Sequence, residues 1–303
     1  MGTAAPSRAA LVTAFATIYL LWGSTYLGIR VAVESLPPFL MAGSRFLLAG
    51  VAMFVFLRAR GGARPTWPQC RDHAITGIFL LLGGNGLVTW AEQTIPSGIA
   101  ALIIGVTPLF MVLTAWAWPG GRCPGAGTMG ALLLGLAGTA WLAAPWQAAS
   151  QGGLPVAGTT GLLAACVLWS VGSIHSRHIK SGADLWLGTA LQMLAGGAAL
   201  LLVALARGEF AGFDPATVTR RSWVAFVYLV LAGSLVGFST FVWLMRHSTP
   251  ARVATYAYVN PVVALLLGWL LIGEPVTART LAASAVIIAA VVLITLQRTK
   301  PAD

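Results

Sequence analysis

Apolar runs of about twenty residues, broken by short polar connections, recur from one end of the chain to the other. Twenty apolar residues in a helix span the hydrocarbon of a bilayer, so each run predicts a crossing helix. In order they are Leu11 to Val31, Phe39 to Leu57, His73 to Thr94, Gly98 to Trp118 and Gly125 to Pro145. Five more follow as Val156 to His175, Leu185 to Ala206, Trp223 to Arg246, Ala251 to Ile272 and Ala278 to Leu296. The expectation is an all-α membrane protein of ten transmembrane helices. Arg8 precedes the first run, and no small-residue cleavage site followed by a soluble domain comes after it, so that run reads as a retained span.

The runs repeat. Ile103 to Gly121 and Tyr256 to Glu274 share one design, an apolar helix with a proline near its start, and Pro108 and Pro261 stand 153 positions apart. Trp90 and Trp243 keep the same offset, while Leu21-Trp22-Gly23 through Arg30 matches Leu168-Trp169-Ser170 through Arg177 at an offset of 147. Leu47 to Gly50 (LLAG) is loosely similar to Leu194 to Gly197 (LAGG). The chain thus divides into residues 1–150 and 151–303, each a five-helix repeat within one membrane domain. Because five is odd, the second unit is expected upside down relative to the first, around a central cavity that both membrane faces reach in turn.

Composition narrows the class. The 303 residues are 58% hydrophobic and only 9% charged, against about 25% charged in a soluble domain. The net charge of +10 does not point to nucleic acid, because the basic residues sit in short loops instead of on one folded face. They concentrate on the side of the N-terminus, above all at Arg58, Arg60, Arg64 and Arg71. The positive-inside rule therefore puts both termini in the cytoplasm. Cys70, Cys123 and Cys166 lack metal-ligand spacing and are expected as free thiols. No HExxH, GxSxG, P-loop or acidic cluster is present, so neither catalysis, a metal, a cofactor nor ATP drive is expected.

Charged groups inside spans are costly, about 2.5 to 3.5 kcal/mol for Arg at a helix centre on insertion scales, so each calls for an account. Arg45 lies about 10 Å into the second span at 1.5 Å per residue. Glu92 lies near the same end of the third span, and the two are expected at similar depth, as a helix-locking salt bridge or as partners for a substrate carboxylate and amino group. Arg30 and Glu34, four residues apart at a helix end, read as a surface pair. Asn85, among Gly83, Gly84 and Gly86, is an amide in a loosened helix. Asn260 precedes Pro261, whose missing N–H frees a carbonyl, and both prolines are candidate hinges. Trp22 with Tyr26, and Trp169 with Ser173, hold equivalent places one turn apart on the first and sixth spans. Tyr256 and Tyr258 join them, and Trp22 and Trp169 are expected to line the cavity. Trp67, Trp118, Trp146, Trp186 and Trp223, near span ends, read as interfacial. Ala131 with Gly135, and Ala285 with Ala289, suit close packing of the fifth and tenth spans against each other or across a homodimer.

WGSTYLGIRVAVESLPPFLMAGSRF (Trp22 to Phe46), GNGLVTWAEQTIPSGIAA (Gly84 to Ala101) and TYAYVNPVVALLLG (Thr255 to Gly268) resemble EamA-type members of the drug/metabolite transporter superfamily. The resemblance covers essentially all ten spans. It implies a ten-helix inverted-repeat fold and export of small metabolites, with no substrate fixed. Such proteins often carry an acidic residue after both the fourth and ninth spans. Here Glu274 follows the ninth, but Gly120-Gly121-Arg122 follows the fourth. The resulting expectation is secondary export of small amphipathic metabolites, amino acids or related compounds foremost. Proton-coupled efflux of lipophilic cations is the alternative, with Glu92 its one candidate carboxylate, and an intramembrane enzyme is the remote third.

Overall fold

The computed structural model describes residues 6–121, 123–143, 153–248, 253 and 255–297. Among them no strand occurs, and helices follow one another through short connections. We number these α1 (Arg8–Ala32), α2 (Pro38–Ala59), α3 (Trp67–Ala91), α4 (Ser97–Ala117) and α5 (Ala126–Ala143). The second half supplies α6 (Val156–His178), α7 (Leu185–Ala206), α8 (Arg220–His247), α9 (Tyr256–Ile272) and α10 (Ala278–Gln297). Seven of them, α1 to α4 and α6 to α8, are long and apolar enough to cross a membrane. The other three expected spans coincide with shorter apolar segments, Ala126–Leu142, Val259–Ile272 and Ala278–Ala290. Helix α9 starts at Tyr256, where a start at Ala251 was expected; positions 251, 252 and 254 lie outside the described residues, as do 144 and 145 at the end of the fifth run.

The helix ends follow from local chemistry. Ser7, Asp184 and Thr219 accept backbone N–H groups in the first turns of α1, α7 and α8, the usual work of an N-cap. Helix α2 opens on two prolines with no cap of its own. Glu209, in the loop after α7, fills the gap by accepting the Leu40 N–H at 2.8 Å. Burial raises the Glu209 carboxyl above its ordinary value, and the Leu40 amide pulls the other way. Gly273 ends α9 in the left-handed region, with φ +67°.

Small residues let the helices close up. A Cβ on Gly50 would sit 2.9 Å from the Leu194 nitrogen, and one on Gly197 2.7 Å from the Leu47 nitrogen. The two similar segments of α2 and α7 therefore face each other with their backbones nearly touching, as small residues allow in membranes. Helix α1 packs on α9, α4 on α6, and α5 on α10. In that last contact Gly135 and Gly138 of α5 meet Ala290 and Ile287 of α10; Ala131 is buried, whereas Ala285 and Ala289 face outward. Trp67, Trp186 and Trp223 are exposed, as interfacial residues should be, while Trp146 lies outside the described residues. Cys166 is buried, with its Sγ 3.7 Å from the Ile103 carbonyl.

Candidate functional site

Helices α3 and α8 share an irregularity. Each widens to π-helical geometry midway, over Ile78–Gly86 and Leu229–Phe238. A π segment inserts an extra residue per turn and shifts which side chains face inward, which is why such segments gather at functional sites. Gly84 lies in the first, and a Cβ there would be 2.7 Å from the Trp169 ring; Gly237 lies in the second, where a Cβ would be 2.7 Å from Trp22 Nε1. The two widened helices thus seat the two tryptophans. These meet edge to face, with centroids 5.6 Å apart and planes at 81°, and Tyr256 stands edge-on to Trp22 at 5.3 Å.

Beside this aromatic group lies a cavity of about 70 Å³, bounded by α1, α2, α3, α4, α6, α8 and α9. Trp22, Tyr26, Arg45, Asn85, Trp169, Tyr256 and Asn260 all line it. Seven of the nine residues singled out from sequence as substrate-binding therefore come together on one wall. Arg45, 2% exposed, donates from one terminal nitrogen to Asn85 Oδ1, and its Cζ lies 4.5 Å from the Phe46 ring centroid. Its Nε makes no hydrogen bond. With the Asn260 amide turned so that its nitrogen faces the two neighbouring carbonyls, it donates to those of Tyr256 and Tyr19, each at 3.2 Å.

Two of the nine are elsewhere. Glu92 is fully buried at the end of α3 but off the cavity wall, and neither carboxyl oxygen accepts a hydrogen bond. No salt bridge joins it to Arg45 among the described residues, because Arg45 turns to Asn85 instead. Ser173 is buried one turn beyond Trp169, also off the wall. The side chain of Tyr258 lies outside those described. Arg30 is no partner of Glu34: its guanidinium donates to the Glu92 and Gln93 carbonyls, at 2.5 and 2.8 Å, and so closes the end of α3.

The two prolines differ in setting. Helix α4 breaks at Gly105–Val106 and resumes at Thr107, with Pro108 in its new first turn, where a missing N–H is harmless. Pro261 stands inside α9 without ending it. A Cβ on Gly105 would lie 3.4 Å from Pro261 and from the Ala257 carbonyl, so the break in one helix rests on the proline of the other. Thr107, Gly233 and Phe238 also line the cavity and were not picked out beforehand. The 153-residue offset was a usable signal for two of them: it carries Asn260 back to Thr107 and Asn85 forward to Phe238.

Apolar helices long enough to cross a bilayer, gathered around an inner cavity with one buried cation and an aromatic wall, make this a multi-pass membrane protein of the transporter class. Comparison with known proteins agrees. The EamA-like transporter family matches residues 9–144 and again 156–296, and the chain belongs to that family. It is a transporter and not an enzyme. Among its relatives, the uncharacterized inner membrane transporter YedA of Escherichia coli (strain K12) is 38% identical, covering 94% of this chain and 90% of that protein. The uncharacterized transporter YvbV of Bacillus subtilis (strain 168) is 27% identical, covering 95% and 92%. A protein of Streptantibioticus cattleyicolor named "probable terminal-alkyne amino-acid exporter" is 27% identical, covering 90% and 89%. One crystal structure aligns with a TM-score of 0.67 at 25% identity, covering 97% of this chain and all of its own.

Proposed function

We propose that the chain is a secondary exporter of small amphipathic metabolites, amino acids foremost, in a bacterial inner membrane with both termini cytoplasmic. Two inverted five-helix units, residues 1–150 and 151–303, would alternate the access of one cavity between the two faces. The observation that carries this is an exchange of contacts. Gly84 receives Trp169 and Gly237 receives Trp22; Gly50 abuts Leu194 and Gly197 abuts Leu47; Gly172 abuts Leu80 and Gly233 abuts Thr25. Applying the offsets of 147 and 153 turns the first member of each pair into the second. Mutual contacts of this kind are what a two-fold axis generates, and units with an odd number of crossings related by such an axis are inverted.

The cavity lies where the two halves meet. At about 70 Å³ it has room for a few waters, less than an amino acid needs, so binding requires the halves to part. The streptomycete relative named as an amino-acid exporter supports the substrate class. Efflux of lipophilic cations draws no such support, since no acidic residue lines the cavity among the described residues.

Counterflow of radiolabelled amino acids in proteoliposomes tests the function, with no chemical conversion expected. A charge-assisted hydrogen bond contributes roughly 1.5–3 kcal/mol, so Arg45→Ala should lower uptake about tenfold or more, and Trp169→Ala should also reduce it. Variants that insert normally and transport as the parent does would sink the site assignment.

A further inference from the structure

We infer that the central cavity recognises its ligand through a carboxylate and offers an ammonium group no charged partner. It would take monocarboxylates with an apolar or aromatic body, and hold an amino acid by its acid end alone.

The charges on the wall decide the matter. Arg45 is the charged residue lining the cavity among those described. One terminal nitrogen is fixed by Asn85, which sets the plane of the guanidinium fork. Nε is left as a buried donor without an acceptor, and an unmet buried donor is a standing cost that a bound oxygen would relieve. Opposite the fork stands Gly233, where even an added Cβ would be 4.0 Å from the other terminal nitrogen. A carboxylate oxygen in that space can accept a charge-assisted hydrogen bond from that nitrogen, for which a guanidinium is suited.

No anionic acceptor lines the cavity among the described residues, and the oxygens of Tyr26, Tyr256 and Asn260 are neutral. Asn85 Oδ1 is committed to Arg45. Thr25 and Thr107 direct their hydroxyl hydrogens to the carbonyls of Trp22 and Ile104 and present only neutral oxygens. Glu92, the nearby carboxyl group, is sealed behind the wall. A cation here would face the fixed charge of Arg45 with only neutral groups to balance it, an arrangement that selects against cations. Trp22, Trp169, Tyr256 and Phe238 provide flat apolar surface for the rest of the ligand.

Three probes with one aromatic body separate the head groups: 3-phenylpropionate, L-phenylalanine and phenethylamine. Binding to the full chain in nanodiscs is read from tryptophan fluorescence and from the shift in unfolding midpoint. The acid should bind at least as tightly as the amino acid, and the amine about tenfold more weakly or worse. Arg45→Gln should bring the acid down to the level of the amine, Arg45→Lys should restore part of the gap, and Asn85→Ala should weaken binding while keeping the order. Equal binding of acid and amine, an amino acid bound about tenfold tighter than the acid, or no saturable binding of any probe to the order of 10 mM would each overturn the assignment. The inference rests on the cavity being the transport site, and proteoliposome flux tells the two failures apart. Binding in the stated order without flux removes the export function and leaves the ligand class; flux with the order reversed does the opposite.

Discussion

At the scale of single residues, Gly84 and Gly237 sit tightly against the rings of Trp169 and Trp22, each 2.7 Å from an added Cβ. Filling either gap with a methyl group pushes a ring that is already held edge to face by its neighbour. Overpacking of this kind costs about 1–3 kcal/mol. Gly84→Ala and Gly237→Ala should therefore each lower the unfolding midpoint in detergent and shift tryptophan emission, whereas Gly120→Ala, at a loop position with open space around it but φ +81°, should disturb stability without touching the tryptophan signal. Glu92 sets a second test. Its carboxyl group is buried without a donor, so replacing it by Gln removes a group that burial penalises; resistance to lipophilic cations should be unchanged and stability equal or higher. The sequence disclosed the tryptophans, Arg45 and both asparagines, because a polar or aromatic residue in an apolar helix stands out. It did not disclose the rotamer of Arg45. Asn85 and Glu92 both lie within reach on the helix after α2, and only the packing around Gly233 and Phe46 decides which one the guanidinium meets.

Among the elements, the end of α9 is the most specialised. Gly268 leaves room for the Glu274 carboxylate, Gly273 turns the chain back in a left-handed step, and the Glu274 N–H donates to the Gly268 carbonyl at 3.0 Å. The carboxylate then accepts the Ser97 N–H at 2.7 Å, the Ser97 hydroxyl at 2.8 Å and the Gly98 N–H at 3.2 Å. It thereby caps the start of α4, where free amides and the helix dipole favour a negative charge. Helix α4 packs with α6, and α9 with α1, so the bond ties two helix pairs together on the side where α4 begins. The position 153 residues before Glu274 is Gly121, which has no carboxylate to tie the opposite side. Loss of a charge-assisted cap removes roughly 1.5–3 kcal/mol. In a Cys70→Ser, Cys123→Ser background, an Ile29→Cys reporter on the cavity wall should react severalfold faster with a membrane-impermeant maleimide from the α4-start face once Glu274 becomes Gln. Gly268→Ala, which crowds the same carboxylate, should act alike, and Ser97→Ala, losing one hydroxyl bond, should act more weakly. Unchanged rates in all three would show that this contact does not hold the face shut.

For the whole molecule, the seven helices among the described residues that are long and apolar enough to cross a membrane fall on expected apolar runs, because bilayer thickness fixes the length of such a run. What the runs could not give was the π-helical widening of α3 and α8, since a local change in hydrogen-bond spacing leaves no mark on which residues of a segment are apolar. The relative orientation of the two halves depends on charge bias, and the bias is uneven. The loop between α2 and α3 carries Arg60 and Arg64 and no acidic residue, while its counterpart between α7 and α8 carries Arg207, with Arg220 and Arg221 opening α8, against Glu209 and Asp214. Short basic loops resist translocation, so that rule favours the cytoplasm for the first loop, whereas the second holds enough positive charge to leave its side undecided on that rule alone. The proposed inversion would decide it: two loops in equivalent places of oppositely oriented units must lie on opposite faces. Arg64→Cys should then react with an impermeant maleimide only after the cells are opened, and Gly212→Cys should react in intact spheroplasts. Should both react from one face, the halves run parallel, the exchanged glycine contacts would belong to an axis along the membrane normal, and a cavity served by each face in turn would lose its structural basis.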